Sequence, residues 1–265
     1  MIGIFDSGTG GLSIYWAIKK LMPEASCLYF ADHAHFPYGE KTVHQIKSFS
    51  SLISSFLISQ GANIIVVACN TATIAAIKHL RESFQVPFVG TVPAVKPACL
   101  YSMNKKTAVL LTQTAARGGA FHHLVSSHAN GAEVYTIRSS RLVKISEEQL
   151  QSDPSSIRYL AQILDPLLEK GVDALVLGST HFIFLKPWIE ELYPGKFKIF
   201  DPSEGVAKQT QRLYLLHRSS MSQKIDQKED VFFTSGSSCL LSQKIKKLLL
   251  MDVSKNNVQQ VLLDY

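Results

Sequence analysis

GANIIVVACNT, residues 61–71, returns in altered form as GVDALVLGSTH, residues 171–181. Each stretch opens on a glycine and a polar turn, runs on as an apolar segment, and closes in a small polar cluster. An unbroken apolar run of this length suits a strand covered on both faces, as in a parallel sheet. With Gly61 set against Gly171, Cys69 pairs with Ser179, Asn70 with Thr180 and Thr71 with His181, at an offset of 110 residues. Three weaker echoes keep the same order along the chain. IGIFDS from Ile2 matches AVLLTQ from Ala108, CLYFAD from Cys27 matches EVYTIR from Glu133, and VPFVGTVPA from Val86 matches FKIFDPSEG from Phe197. One strand–turn–helix match means little, but four in one order predict a chain of two pseudo-symmetric halves.

Working outward, the pattern predicts strands at Ile2–Phe5, Cys27–Ala31, Ile64–Ala68, Pro87–Gly90, Ala108–Leu111, Glu133–Ile137, Ala174–Leu177, Lys198–Phe200 and Val231–Phe233. Helical periodicity fills Leu12–Leu21, Thr42–Gln60, Thr71–Phe84, Ala115–Ser127, Ser155–Lys170, Phe182–Leu192, Glu204–His217 and Cys239–Leu249. Alternation of this kind argues for the α/β class with parallel sheets. The last 58 residues, from Lys208, have no second copy and are expected to return to the first half. Chemistry in open α/β sheets collects at the carboxyl ends of strands. Both polar clusters sit at such ends, and facing halves would bring Cys69 and Ser179 to opposite walls of one cleft.

Composition narrows the class. A chain of 265 residues that is 46% hydrophobic can bury a large core. No apolar run reaches the length of a membrane span, and the opening MIGIFDSG lacks the regions of a signal peptide. The four cysteines, Cys27, Cys69, Cys99 and Cys239, include no CxxC pair, which disfavours disulfide scaffolds and zinc sites and points to a reducing cytoplasm. The net charge of +6 is spread along the chain. It suits a small anionic substrate better than nucleic acid, because the densest cluster, Lys244, Lys246 and Lys247, reads as the polar face of a helix.

DSGTGG from Asp6 follows the first strand, and its glycines allow a tight turn with close backbone approach to a ligand. An ordinary strand-to-helix turn reads the same way. There is no GxxxxGK[ST] and no GxGxxG, so nucleotide binding has little support. Cys69 opens a helix, where the free amides would lower its pKa toward that of a usable base. The competing reading is a buried inert thiol. Ser179 with His181 suggests nucleophilic chemistry, although GSTHF is not the GxSxG elbow. Asp32, His33 and His35 lack a diagnostic metal spacing, and no metal is expected. PYG, residues 37–39, reads as a turn that presents the Tyr38 hydroxyl and backbone amides.

With these residues in place, the chain resembles the glutamate racemase group of the aspartate/glutamate racemase superfamily. IGIFDSGTGG, PYGEK from Pro37, ACNTAT from Ala68, VLGSTHF from Val176 and FFTSG ending at Gly236 match family signatures in order along nearly the whole chain. The resemblance implies two α/β domains, about 1–96 with 208–265 and about 97–207, with the active site between them. It implies no cofactor, a glutamate substrate and a product used in the bacterial wall. In that family two cysteines flank the substrate α-carbon. Cys69 matches the one that works on the D-enantiomer, and Ser179 stands in place of its partner. Asp6 and His181 match catalytic positions. Asp6, Ser7, Pro37, Tyr38, Gly39, Asn70, Thr71, Thr112, Thr114, Thr180 and His181 match positions that hold substrate. Ala115 and Gly118 replace usual hydroxyls, Ser139 and Ser140 replace a Cys-Pro pair, and Glu147 is kept. The serine leaves three readings open: a working racemase, a one-thiol relative on another small dicarboxylate, or a ligand-binding homologue. The sequence permits a homodimer without requiring one.

Overall fold

The computed structural model describes residues 1–117, 119–148, 153–219 and 229–263. The Thr114 side chain and Gly118, both singled out above, lie outside the described residues. The chain divides into two compact units, Met1–Thr91 with Ser203–Tyr265, and Val92–Pro202.

Among the described residues, the first unit holds six strands: β1 (Ile2–Asp6), β2 (Cys27–Ala31), β3 (Ile64–Val67), β4 (Phe88–Gly90), and then, after the second unit, β9 (Val231–Thr234) and β10 (Val258–Gln260). The second unit holds β5 (Lys106–Leu111), β6 (Glu133–Arg138), β7 (Ala174–Leu177) and β8 (Lys198–Phe200). Every strand pairing is parallel. The sheet orders are β10-β9-β2-β1-β3-β4 and β6-β5-β7-β8. The core of the first sheet therefore repeats the second strand for strand, β1 with β5, β2 with β6, β3 with β7 and β4 with β8. These are the four pairs that the sequence echoes name.

β3 and β7 are buried along their whole length, because helices cover both faces of a parallel sheet. Phe5, Ile65, Val67, Ile53 and Leu57 pack into one core of the first unit. Leu110, Leu175, Leu177, Leu164 and Phe182 pack into one of the second.

Several elements depart from the sequence reading. The segment read as one helix over 182–192 is two, Thr180–Ile183 and Lys186–Leu192. Pro187 explains the break, since it has no N–H to donate and is tolerated only in the first turn of the second helix. The helix expected over 115–127 is found in the described residues on either side of residue 118, over Gln113–Arg117 and Gly119–His128. Helices Val95–Tyr101 and Ser140–Glu148 and strand β10 were not expected. All four cysteines are free, three of them buried and Cys239 exposed. Among the described residues, no helix is long and apolar enough to cross a membrane.

Candidate active site

In each unit the chain leaves the central strand toward one sheet neighbour and returns on its other side. The carboxyl ends of β1 and β3, and of β5 and β7, are thus the topological switch points where α/β sheets bind ligands. Asp6 and Cys69 sit at the first, Thr112 and Ser179 at the second.

The first cluster is built by close backbone approach. Asp6 ends β1 fully buried, and its Oδ1 accepts the Gly8 amide at 2.8 Å, which closes the turn after the strand. A Cβ on Gly11 would stand 2.7 Å from Asp6 Cβ and 2.9 Å from Ala68 Cβ, so only glycine fits beneath the turn. Tyr29 OH donates to the Gly8 carbonyl at 2.9 Å. Ala68 N donates to the Phe5 carbonyl at 2.9 Å, which sets the residues after β3 beside Asp6.

Cys69 is the N-cap of helix Asn70–Ser83, and its sulfur accepts the Ala72 amide at 3.5 Å. Its thiol donates to Ser7 Oγ at 3.8 Å. The helix start was expected to lower the thiol's pKa, and the structure corrects this. Burial, reinforced by the Asp6 carboxylate, pushes it up to about 12, while the Ala72 amide and Ser7 pull the other way without prevailing. Desolvation is the largest influence because the sulfur is nearly enclosed. Asn70 is buried beside it, and Thr71 is half-buried.

The PYG turn hangs from one carboxylate. Asp32 follows β2, and its amide donates to the Asp6 carbonyl at 2.9 Å. Its fully buried side chain accepts from Tyr38 OH at 2.6 Å and from Ser235 Oγ at 2.7 Å, and His35 Nδ1 lies 2.9 Å away. Asp32 and His35, weighed in the sequence as metal ligands, are partners of each other. Pro37 precedes a single 3₁₀ turn, Tyr38–Glu40, which carries Tyr38 and Gly39.

The second cluster has the same frame with different chemistry. Gly178 N donates to the Leu110 carbonyl at 2.8 Å, and a Cβ there would meet that oxygen at 2.7 Å. Thr112 is half-buried, and its Oγ1 accepts the Ala115 amide at 3.3 Å at the start of the next helix. Ser179 is the N-cap of Thr180–Ile183, yet its side chain makes no capping bond, in contrast to Cys69. Thr180 and His181 are buried, and Glu147 Oε2 lies 3.0 Å from His181 Nε2. Ser146 Oγ donates to the His181 carbonyl at 2.6 Å, so helix Ser140–Glu148 holds that residue at both its ring and its backbone. Ser139, noted above as a departure from the family, caps this helix. Its Oγ accepts the Leu142 amide at 3.0 Å and shares a hydrogen bond with Tyr159 OH at 2.9 Å. The Ala115 side chain fills an apolar core.

Sequence reasoning passed over three residues that the geometry brings forward. Asp32 was considered only for metal, Ser146 not at all, and Ser235 only as part of a signature.

Asp/Glu/Hydantoin racemases match residues 12–210. The chain is 41% identical over 213 residues to the glutamate racemase of Pseudomonas aeruginosa PAO1, covering 80% of each. The chain belongs to the Asp/Glu/hydantoin racemase family. Among racemases of known structure, the Escherichia coli glutamate racemase in complex with L-glutamate and activator UDP-MurNAc-ala superposes with a TM-score of 0.86 at 28% identity, over 100% of this chain and 98% of that one. The Francisella tularensis glutamate racemase in complex with D-glutamate superposes with a TM-score of 0.80 at 25% identity, over 99% and 97%. As a racemase of this family, the chain has a strand-end thiol in one sheet and a strand-end hydroxyl at the equivalent point of the other.

Proposed function

We infer that this racemase interconverts L- and D-glutamate by cofactor-independent proton transfer at the α-carbon, and so supplies D-glutamate for peptidoglycan in the cytoplasm. The observation that carries this reading is the equivalence of Cys69 and Ser179. Each follows the strand beside the central one, in sheets of the same order, in a chain 41% identical to a glutamate racemase.

In this reading Cys69 and Ser179 are the two proton-transfer groups. The Cys69 thiolate takes the α-proton of D-glutamate, and the Ser179 hydroxyl delivers a proton to the opposite face. L-glutamate follows the reverse path. Burial keeps the sulfur protonated, and the ammonium group of a bound substrate would offset that burial and stabilise the thiolate. Asp6 lies beside the sulfur and accepts the proton that the thiol gives up as the thiolate forms. Ser7, Pro37, Tyr38, Gly39, Asn70, Thr71, Thr112 and Thr180 supply hydroxyls, a side-chain amide and turn backbone of the kind that suits carboxylates. His181, held by Glu147, restores the proton that Ser179 gives up.

A hydroxyl is a weaker acid than a thiol, and each unit of mismatch adds about 1.4 kcal/mol to the proton transfer. The enantiomers have equal free energy, and both directions cross the same barriers. The serine therefore slows both directions equally, and does not make the enzyme one-way.

The test is polarimetric. The purified protein is incubated separately with D- and L-glutamate, and with both enantiomers of aspartate. The reading expects each glutamate signal to decay to zero and aspartate to persist. Glutamate that keeps its rotation from both sides would remove the assignment.

A further inference from the structure

One sequence signature has no part in the proposed chemistry. Thr234-Ser235-Gly236 closes β9, which pairs with β2. Each of the three residues touches the segment that follows β2. Thr234 Oγ1 lies 3.0 Å from His33 Nδ1 and accepts the Gly236 amide at 3.0 Å. Ser235 Oγ donates to Asp32 Oδ1 at 2.7 Å and accepts the Ala34 amide at 3.0 Å. A Cβ on Gly236 would stand 2.8 Å from His33 Cβ, so the backbone there runs against the imidazole-bearing residue. Thr234 and Ser235 are buried.

Of these contacts, the Ser235 hydroxyl reaches the Asp32 carboxylate, while Thr234 and Gly236 hold its neighbour His33. A buried carboxylate must be fully provided with donors, and its orientation follows them. Ser235 Oγ donates to one oxygen, the other accepts Tyr38 OH at 2.6 Å, and His35 Nδ1 lies 2.9 and 3.1 Å from the two. We propose that Thr234, Ser235 and Gly236 form the seat of the Asp32–Tyr38 turn, with Ser235 a positioning residue that acts through Asp32 on Tyr38 and Gly39. Ser235 touches no reacting atom in this scheme. It sets where the turn's amides and the tyrosine stand when the substrate carboxylate arrives. The functional half of the proposal rests on the glutamate reading above, while the seat itself does not.

The experiment has two readouts. In kinetics, Ser235→Ala raises KM for both enantiomers about tenfold, the loss expected for one hydrogen bond to a buried charge, while kcat changes much less. Ser235→Thr, which restores the hydroxyl, returns KM toward that of the wild type. In unfolding, Ser235→Ala and Tyr38→Phe are combined in a double-mutant cycle. Both disturb one carboxylate, so the double variant loses less melting temperature than the two losses summed. If Ser235→Ala does not fold, Ser235→Cys, which keeps the side-chain volume and replaces the hydroxyl by a weak donor, takes its place with the same two expectations. An inactive wild type with a coupled cycle removes the glutamate reading and keeps the seat. Additive unfolding losses, or a fall confined to kcat, overturn the proposal.

Discussion

At the scale of single residues, the two strand ends share a frame, and their paired residues Cys69 and Ser179 differ in one atom. Sulfur at residue 69 caps its helix and is shielded, with its pKa pushed up by burial and by Asp6. Oxygen at residue 179 leaves its helix uncapped. If Ser179 is the weaker partner in the proposed reaction, Ser179→Cys raises kcat/KM by roughly a hundredfold, within the range general acid–base groups contribute. The gain is the same factor for both enantiomers, because the equilibrium constant is fixed by symmetry. Initial rates from each side check this, and a gain in one direction alone is thermodynamically barred. No gain at all removes Ser179 from the reaction. The direction of the Cys69 shift was not legible in the sequence. A helix start can be read from ACNTAT, but the burial that outweighs it depends on the whole fold around the sulfur. Ser139 was similarly opaque, since its place as a cap depends on a helix that the sequence did not announce.

At the scale of elements, the strands were the most legible part, because fully buried parallel strands such as IIVV and ALVL leave continuous apolar runs. What escaped were elements made by their partners. β10 reads VQQ and is a strand because it lies along β9. Helix Ser140–Glu148 is nine residues long and is anchored by Leu142 and Ile145 in the core of its unit. Short helices like this draw their stability from packing and caps more than from propensity. Ser139→Ala should therefore cost about 1 kcal/mol through the lost cap. Thermal unfolding should show a drop of roughly 2–4 °C. Gly178→Ala should cost more, about 1–3 kcal/mol, because its Cβ would press on the Leu110 carbonyl and on Leu111 and the backbone cannot retreat. A Gly178→Ala protein as stable as the wild type would contradict the close approach.

At the scale of the whole molecule, the repeated strand order explains why one sequence offset could reveal the architecture. It also places several ionisable groups in apolar surroundings. The Cys27 thiol and the Tyr15 phenol are both pushed up, first by burial and then by Asp230, and Cys69 is pushed up as well. The unfolded chain gives up these protons near the ordinary values, and the native state keeps them. Stability is therefore whole below about pH 8.5 and falls as pH rises through the thiol range and beyond. The urea midpoint should decline between neutral and alkaline buffer, and Cys27→Ala should flatten that decline. An unchanged slope in Cys27→Ala would mean that the buried thiol titrates normally. The account as a whole turns on the Cys69 sulfur meeting the substrate's α-hydrogen. The direct measurement is proton NMR of D-glutamate in deuterated buffer with the wild type and with Cys69→Ala. The account predicts that the wild type loses the α-proton signal as L-glutamate carrying deuterium appears, and that Cys69→Ala does neither. Exchange that continues unchanged in Cys69→Ala would contradict it.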